Sequence, residues 1–452
     1  MKKYRFLSLL LAGLMALALV CPALALDDPQ PKARAVILVD GDNHEVLYEF
    51  HARERMYPAS TTKIMTSLVV LDAVESGQLS LDTQVTASAQ AVDLPWNSST
   101  AGIKAGETLS VLDLLYCDLL PSGNEACNIL AEAVAGTQAE FVARMNAKAQ
   151  QLGTQDTHFT NPHGLHDPEH YTTAYDIYLM ARAAMEHETF RTIVRSAYHT
   201  LPATNLQPER TIYSSNGLLS SFYSGSGYTY GKAVGIKTGY TGEAGRCLAS
   251  AAVDELGRTF YCVVLGTEDE NGHKFSFSET KRLLEWAFQN FHRVTLLDKD
   301  TENVLREVGV TLSDDADYVL AQPVGELQAT MPSDFDPKRA ELLMDLPESI
   351  EAPITAGDKL GTVTFRYDGV DYGTLDMAAV DSVARSDFLY AVQQIQFYWG
   401  KWWVKALAAG AVALAAALVL LVTVVLPKRK ARLRYSRSGS RRVGAGHYRG
   451  RR

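Results

Sequence analysis

Residues 406–426 form a run of 21 residues without one charged side chain, built mainly of Ala, Val and Leu. A helix rises about 1.5 Å per residue, so the run covers the roughly 30 Å of a bilayer's hydrocarbon. Lipid offers no partner for a bare peptide group, which leaves this segment one conformation, a membrane-crossing helix. Its flanks agree. Phe397, Tyr398, Trp399, Trp402 and Trp403 resemble an interfacial aromatic belt, and residues 427–452 carry 11 Lys and Arg with no acid. Positive flanks stay inside, so the tail is expected in the cytoplasm and everything before the span outside. The other end fits that topology: Lys2, Lys3 and Arg5, an apolar run over 6–20, then Ala23-Leu24-Ala25, the layout of a cleavable secretory signal over 1–25. Cys21, flanked by Val20 and Pro22, is a poor lipoprotein site. The expectation is an extracytoplasmic protein tethered to the cell membrane by a single C-terminal span.

Setting these ends aside changes the charge. The 452-residue chain has a formal net charge of −9, but residues 26–405 hold 29 Lys and Arg against 52 Asp and Glu, a net charge of −23. So acidic a body excludes nucleic acid as its ligand, and the basic tail suits anionic lipid better. The length allows two or three domains with ample core. Beyond the leader there are four cysteines, Cys117, Cys127, Cys247 and Cys262, with no zinc-site spacing. Cys117 and Cys127 could form a disulfide; buried thiols are the alternative.

Along the chain, residues 35–40 and 45–50 read as strands of a hairpin around Gly41-Asp42-Asn43. A helix is expected from Ser60 to about Ser76-Gly77, apolar on nearly every side and so buried. Residues 86–107 read as loop, 109–119, 125–134 and 138–152 as helices, 157–173 as a loop rich in His, Pro and Gly, and 174–185 as helix. Strand signals return at 233–237, 244–253 and 259–266, followed by a helix over 278–291. Strands at both ends with helices between predict one antiparallel sheet carrying a helical lobe, an α/β (α+β) domain over 30–292. Short alternating stretches then predict a small all-β domain over 293–380, an amphipathic segment over 384–405, the span at 406–426 and the tail at 427–452.

The helix starting at Ser60 carries the chemistry. Ser60 and Lys63, three apart, fall on one helical face, a nucleophile beside a possible base. A lysine becomes a base at neutral pH when burial and a second cation oppose its charge. Taken alone the quartet reads more readily as a capped helix with a snorkelling lysine. Two further motifs alter that: Pro121-Ser122-Gly123-Asn124 between two helices, and Lys237-Thr238-Gly239 ending a strand. Ser-x-x-Lys, Ser-x-Asn and Lys-Thr-Gly in this order are the known signature of penicillin-binding proteins and class A β-lactamases.

With these motifs the chain resembles the serine D-alanyl-D-alanine carboxypeptidases, the low-molecular-mass penicillin-binding proteins. The likeness extends to Asn161-Pro162-His163-Gly164-Leu165, His170-Tyr171-Thr172-Thr173-Ala174 and Ser215-Asn216-Gly217-Leu218-Leu219, and covers about residues 30–290. It implies a serine β-lactamase/transpeptidase-like fold and an acyl-enzyme formed on Ser60, with Lys63 as base. Ser122 would relay a proton to the leaving amine, and Asn124 would hold the substrate amide and Lys63. Lys237 and Thr238, with Gly239 beside them, would seat the substrate carboxylate, and the N–H groups of Ser60 and Tyr240 would form the oxyanion hole. The implied partners are a peptidoglycan stem peptide ending in D-Ala-D-Ala, β-lactams as covalent inhibitors, and membrane lipid through the span and tail. No cofactor or metal is implied, and His163 and His170 would be structural.

Three departures stand out. Relatives carry a carboxylate-binding arginine near 272–275, where this chain offers His273 and, as a substitute, Lys274. Arg246 follows Gly245 where relatives commonly carry an aromatic, and the resemblance gives it no role. The full span replaces the family's usual amphipathic anchor. Two rival readings are a serine β-lactamase, which would need an acid such as Glu169 to activate water, and a non-catalytic penicillin-binding surface protein.

Overall fold

The computed structural model describes residues 28–426 and Lys428. The proposed signal (1–25) and all of the basic tail except Lys428 lie outside the described residues. The described chain forms two compact units, one running through Val294 and taking in Gln328–Asp336, the other comprising Thr295–Leu327 and the residues from Pro337 onward.

In the first unit, β1 (Ala35–Asp40) and β2 (Val46–Phe50) form the expected hairpin. The serine turn Ala59–Thr62 is a 3-10 helix running into α1 (Lys63–Glu75). The short ladder β3 (Gln84–Thr86) and β4 (Thr108–Ser110) frames the 86–107 loop. Next come α2 (Val111–Leu119), α3 (Asn124–Ala135), α4 (Gln138–Gln151), α5 (Ala174–Glu186) and α6 (Glu188–Arg195). Three of these helices start on side-chain caps, Ser110, Thr137 and Thr173, each accepting an N–H three residues on. A hairpin β5 (Tyr198–Leu201) and β6 (Arg210–Tyr213) follows, then β7 (Ala233–Thr241), β8 (Gly245–Val253), β9 (Thr259–Thr267), the small pair β10 (Asp269–Glu270) and β11 (His273–Lys274), and α7 (Phe275–Asn290).

The main sheet has the order β2-β1-β9-β8-β7 and is antiparallel throughout. Side chains alternate faces along a strand, and here both faces are covered. Ile37, Val39, Ala249 and Val263 pack with the helical lobe, including α1, while Val36, Leu38, Leu248 and Val264 pack with Phe277, Leu284 and Phe288 of α7. Double coverage explains why these strands are continuous apolar runs. Strand β7 is the sheet's edge, so its outer side is free to meet the serine turn.

Helix α1 is buried nearly all round, as its sequence predicts; Ile64, Met65, Leu68 and Val70 are at most 1% exposed. Each such side chain contributes roughly 1.5–3 kcal/mol through burial, which anchors the helix that carries the site. One expectation needs correction: Ser60 does not lie in the α-helix but in the tighter turn before it.

The second unit contains a six-stranded sheet in which Arg306–Thr311 pairs in parallel with Ser349–Glu351 and the other pairings are antiparallel. Its C-terminal part is the helix Asp387–Trp399 and a second helix from Trp402 to Val425, long and apolar enough to cross a membrane.

Candidate active site

The serine turn is held in an uncommon shape. Ala59, just before Ser60, has φ +47°, a left-handed conformation that costs a residue with a Cβ about 1 kcal/mol or more. Thr61 Oγ1 donates to the Pro58 carbonyl and Thr62 Oγ1 to the Ala59 carbonyl, both at 2.8 Å. The 157–173 loop braces the turn from outside. Thr160 N–H donates to His170 Nδ1 at 3.1 Å, which leaves the ring proton on Nε2, 2.8 Å from Thr62 Oγ1. Burial pushes the His170 imidazole down to about 4 and that of His163 to about 3, so both rings are neutral structural groups at neutral pH.

Gly164 makes the brace possible. Its φ is +85°, and a Cβ there would lie 1.9 Å from the Ala59 carbonyl oxygen. Gly239 does the same from the sheet edge: a Cβ would meet the Pro58 oxygen at 2.9 Å and the Ser60 nitrogen at 3.0 Å. The loop and the edge strand therefore close on Ser60 from two sides, each through a glycine.

Lys63 is wholly buried, which a charge tolerates only with partners on every side. Its Nζ lies 3.1 Å from Ser60 Oγ, 2.7 Å from Asn124 Oδ1 and 2.7 Å from the His163 carbonyl oxygen. The two carbonyl oxygens can only accept, so they take two N–H bonds; only the Ser60 hydroxyl can also donate. A neutral amine in this cage thus points its lone pair at Ser60, the geometry of a base facing its nucleophile.

Lys237, 1% exposed, donates to the Thr238 carbonyl at 3.0 Å. Burial and then the nearby Lys63 bring it down to about 7, opposed by Asp118. Asp118 is fully buried; burial raises its pKa and Lys63 pulls it back, while Ser67 Oγ donates to it at 2.7 Å and Cys127 Sγ at 2.9 Å. Two buried amines thus feel the charge of one buried carboxylate. Cys117 and Cys127 are unpaired buried thiols, which removes the possible disulfide between them. Burial holds both thiols well above the ordinary range.

Above these groups lies a cleft of about 270 Å³ lined by Ser60, Ser122, Ser215, Thr238, Gly239, Tyr240, Arg246 and Lys274, among others. Ser122, one of the lining residues, has φ +69° and a buried hydroxyl with no partner among the described residues. Thr238 Oγ1 lies 2.7 Å from Ser215 Oγ, which fixes the threonine. A larger cavity of about 510 Å³ in the second unit, lined by Arg306, Lys338 and Phe365 among others, has no serine, lysine and carbonyl arrangement of this kind, so chemistry selects the smaller one.

All eight residues singled out from sequence belong to this one region: Ser60, Lys63, Ser122, Asn124, Lys237, Thr238, Gly239 and Tyr240 either line the cleft or form its floor. Sequence reasoning missed the His163 carbonyl, Gly164, Asp118 and the role of Ser215. The resemblance pointed to the segments holding His163, Gly164 and Ser215, but a backbone carbonyl leaves no side-chain signal. Lys274 does line the cleft, yet its amine is engaged by the Tyr223 carbonyl at 3.1 Å. Glu169 is exposed on the loop and is not among the residues lining the cleft, and its carbonyl accepts from His158 Nδ1 at 2.6 Å.

Comparison with known proteins agrees with this geometry. The D-alanyl-D-alanine carboxypeptidase family profile matches residues 23–269. The chain is 29% identical over 403 residues to the D-alanyl-D-alanine carboxypeptidase DacF of Bacillus subtilis, covering 88% of this chain and 99% of that one. It is 33% identical over 373 residues to the D-alanyl-D-alanine carboxypeptidase DacD of Salmonella typhimurium, covering 78% and 88%. Among solved structures, penicillin-binding protein 5 of Haemophilus influenzae superposes with a TM-score of 0.61 at 28% identity, over 80% of this chain and all of that one.

Proposed function

The chain belongs to the D-alanyl-D-alanine carboxypeptidase family, and from that premise we propose how its own residues carry the reaction. The enzyme is a serine-type carboxypeptidase acting on peptides that end in D-Ala-D-Ala. Ser60 Oγ attacks the carbonyl between the last two D-alanines while its proton passes to Lys63 Nζ, 3.1 Å away. Charge developing on the carbonyl oxygen is met by the N–H groups of Ser60 and Tyr240, which the glycine contact at 239 brings together. The C–N bond breaks as the leaving amine takes a proton through Ser122. Water then adds to the Ser60 ester, its proton returns by way of Lys63, and Ser60 regains its hydroxyl. Asn124 holds Lys63 in line, and the substrate's terminal carboxylate sits against Lys237 and Thr238, the latter oriented by Ser215. A β-lactam, whose ring amide opens to the same ester, becomes a long-lived adduct.

The observation that carries this reading is the cage around Lys63, two obligate acceptors and one serine hydroxyl. It suits a base and has no purpose in a merely capped helix. A β-lactamase reading lacks its water-activating acid, since Glu169 faces solvent. In the cell, the helix Trp402–Val425 would cross the membrane once, with the catalytic unit extracytoplasmic and the basic tail cytoplasmic. Three features support that arrangement: the signal-like leader, the tail's charge and an extracytoplasmic substrate. Incubating the full chain in detergent with a D-Ala-D-Ala peptide should release D-alanine, and Ser60→Ala should release none. Release that survives the substitution would overturn the assignment.

A further inference from the structure

The cleft presents two side-chain cations beyond Lys237 on its outer wall, Lys274 and Arg246, and they are not equivalent. Thr238 and Tyr240, two apart on β7, project to one side of the sheet, and Arg246 on β8 stands directly opposite Tyr240 in the register, on the same side. The Arg246 guanidinium lies 4.1 Å from the Tyr240 ring centroid. Its Nε and Nη2 both contact Asp269 Oδ2, at 3.0 and 2.9 Å. A ring on one face and a carboxylate on one edge fix its plane. A guanidinium has five N–H groups, and these contacts leave those of Nη1 unspent. Lys274, paired in register with Asp269, has its amine on the Tyr223 carbonyl. Arg246 and Tyr240 stand between the cleft and a neighbouring cavity, and the acids Glu243, Glu268 and Asp269 line that cavity and not the cleft. The cleft's own lining holds Arg246 and Lys274 and no acid.

We propose that Arg246, oriented by Asp269 and Tyr240, receives the free carboxylate at the end of the substrate peptide and so makes this enzyme select a carboxyl terminus. The inference rests on the carboxypeptidase reading above. A pre-oriented planar donor binds a carboxylate in a fixed geometry, whereas a lysine offers only a point charge. Lys274 then supplies background charge, and Lys237 and Thr238 hold the carboxylate from below.

The test compares the full chain acting on two peptides that differ only at the end, one closing in D-Ala-D-Ala and the other in its C-terminal amide. Arg246→Ala should lower kcat/KM for the free acid about 10- to 100-fold, mainly through KM, and change the amide by no more than about twofold, so that selectivity collapses. Arg246→Lys should restore part of the loss. An equal fall on both peptides would show that Arg246 only packs the wall and would overturn the proposal. So would Lys274→Ala producing the acid-selective loss while Arg246→Ala does not. Wild-type enzyme that releases neither D-alanine from the acid nor D-alanine amide from the amide would instead defeat the carboxypeptidase reading beneath it.

Discussion

Lys237 couples substrate binding to protons. Burial and Lys63 bring its amine to about 7, against 10.5 for an ordinary lysine. Between those values the unfolded chain holds a proton that the folded chain has lost, so the free enzyme's stability rises with pH across the window. A carboxylate needs the protonated amine, so substrate binding weakens over the same rise. KM for the free-acid peptide should be flat below about 7 and climb about tenfold per pH unit above it, while the thermal midpoint of the free enzyme increases from pH 7 to 9. Lys237→Met should abolish both dependences and leave binding weak throughout. A KM that stays constant to pH 9 would remove Lys237 from the carboxylate seat. The identity of the reacting side chains was legible in the sequence because three motifs place unusual residue types in a fixed order. Their protonation was not, since the lowered value at Lys237 depends on burial and on neighbours 174 and 119 residues away in the chain, Lys63 and Asp118.

Two elements press on the serine turn: the 157–173 loop and the edge strand β7, which also carries Lys237, Thr238 and Tyr240. Both touch the serine turn through a glycine, and at Gly164 the approach leaves no room for a Cβ. Gly164→Ala should keep the far-ultraviolet spectrum of the folded protein yet reduce the rate of penicillin acylation at least about tenfold, because the Ala59–Thr62 turn and the His163 carbonyl must separate. Acylation at the wild-type rate would show that the brace is dispensable. The same loop should respond to acid. His170, held near 4 against 6.5 unfolded, favours folding above pH 6.5, and that advantage drains away as pH falls toward 4. His163, held to about 3, adds a loss over the same range, so His170→Gln should reduce but not abolish the loss of stability between pH 6.5 and 5 seen by urea unfolding. At this scale the sequence yielded most helices and strands, because caps and apolar periodicity are local. It did not yield α6 or the β5–β6 hairpin, whose apolar positions are few and whose packing partners are remote. It also extended the helix through Ser60, where the turn is set by the loop and strand pressing on it.

The whole molecule divides its labour along the chain. A sheet covered on both faces holds the cleft rigid, a second β-rich unit follows, and an apolar helix offers the tether. Removing residues 402–452 should give a protein that stays soluble without detergent and has kcat/KM on a short soluble peptide within about twofold of the full chain's. A large loss would mean the span contributes to the site itself. The architecture was largely readable in advance, because the charge-free run and the apolar strands are composition signals. The return of residues 328–336 to the first unit was not, being a long-range pairing with no local mark.

Everything rests on Ser60 as the acylated atom with Lys63 as its base, and benzylpenicillin tests this most directly. Intact-mass measurement followed by peptide mapping should find one penicilloyl adduct per chain, on the peptide containing Ser60, persisting for minutes and absent from Ser60→Ala and Lys63→Ala. An adduct on another residue, undiminished labelling of the Lys63 variant, or turnover of the drug within seconds would contradict the account.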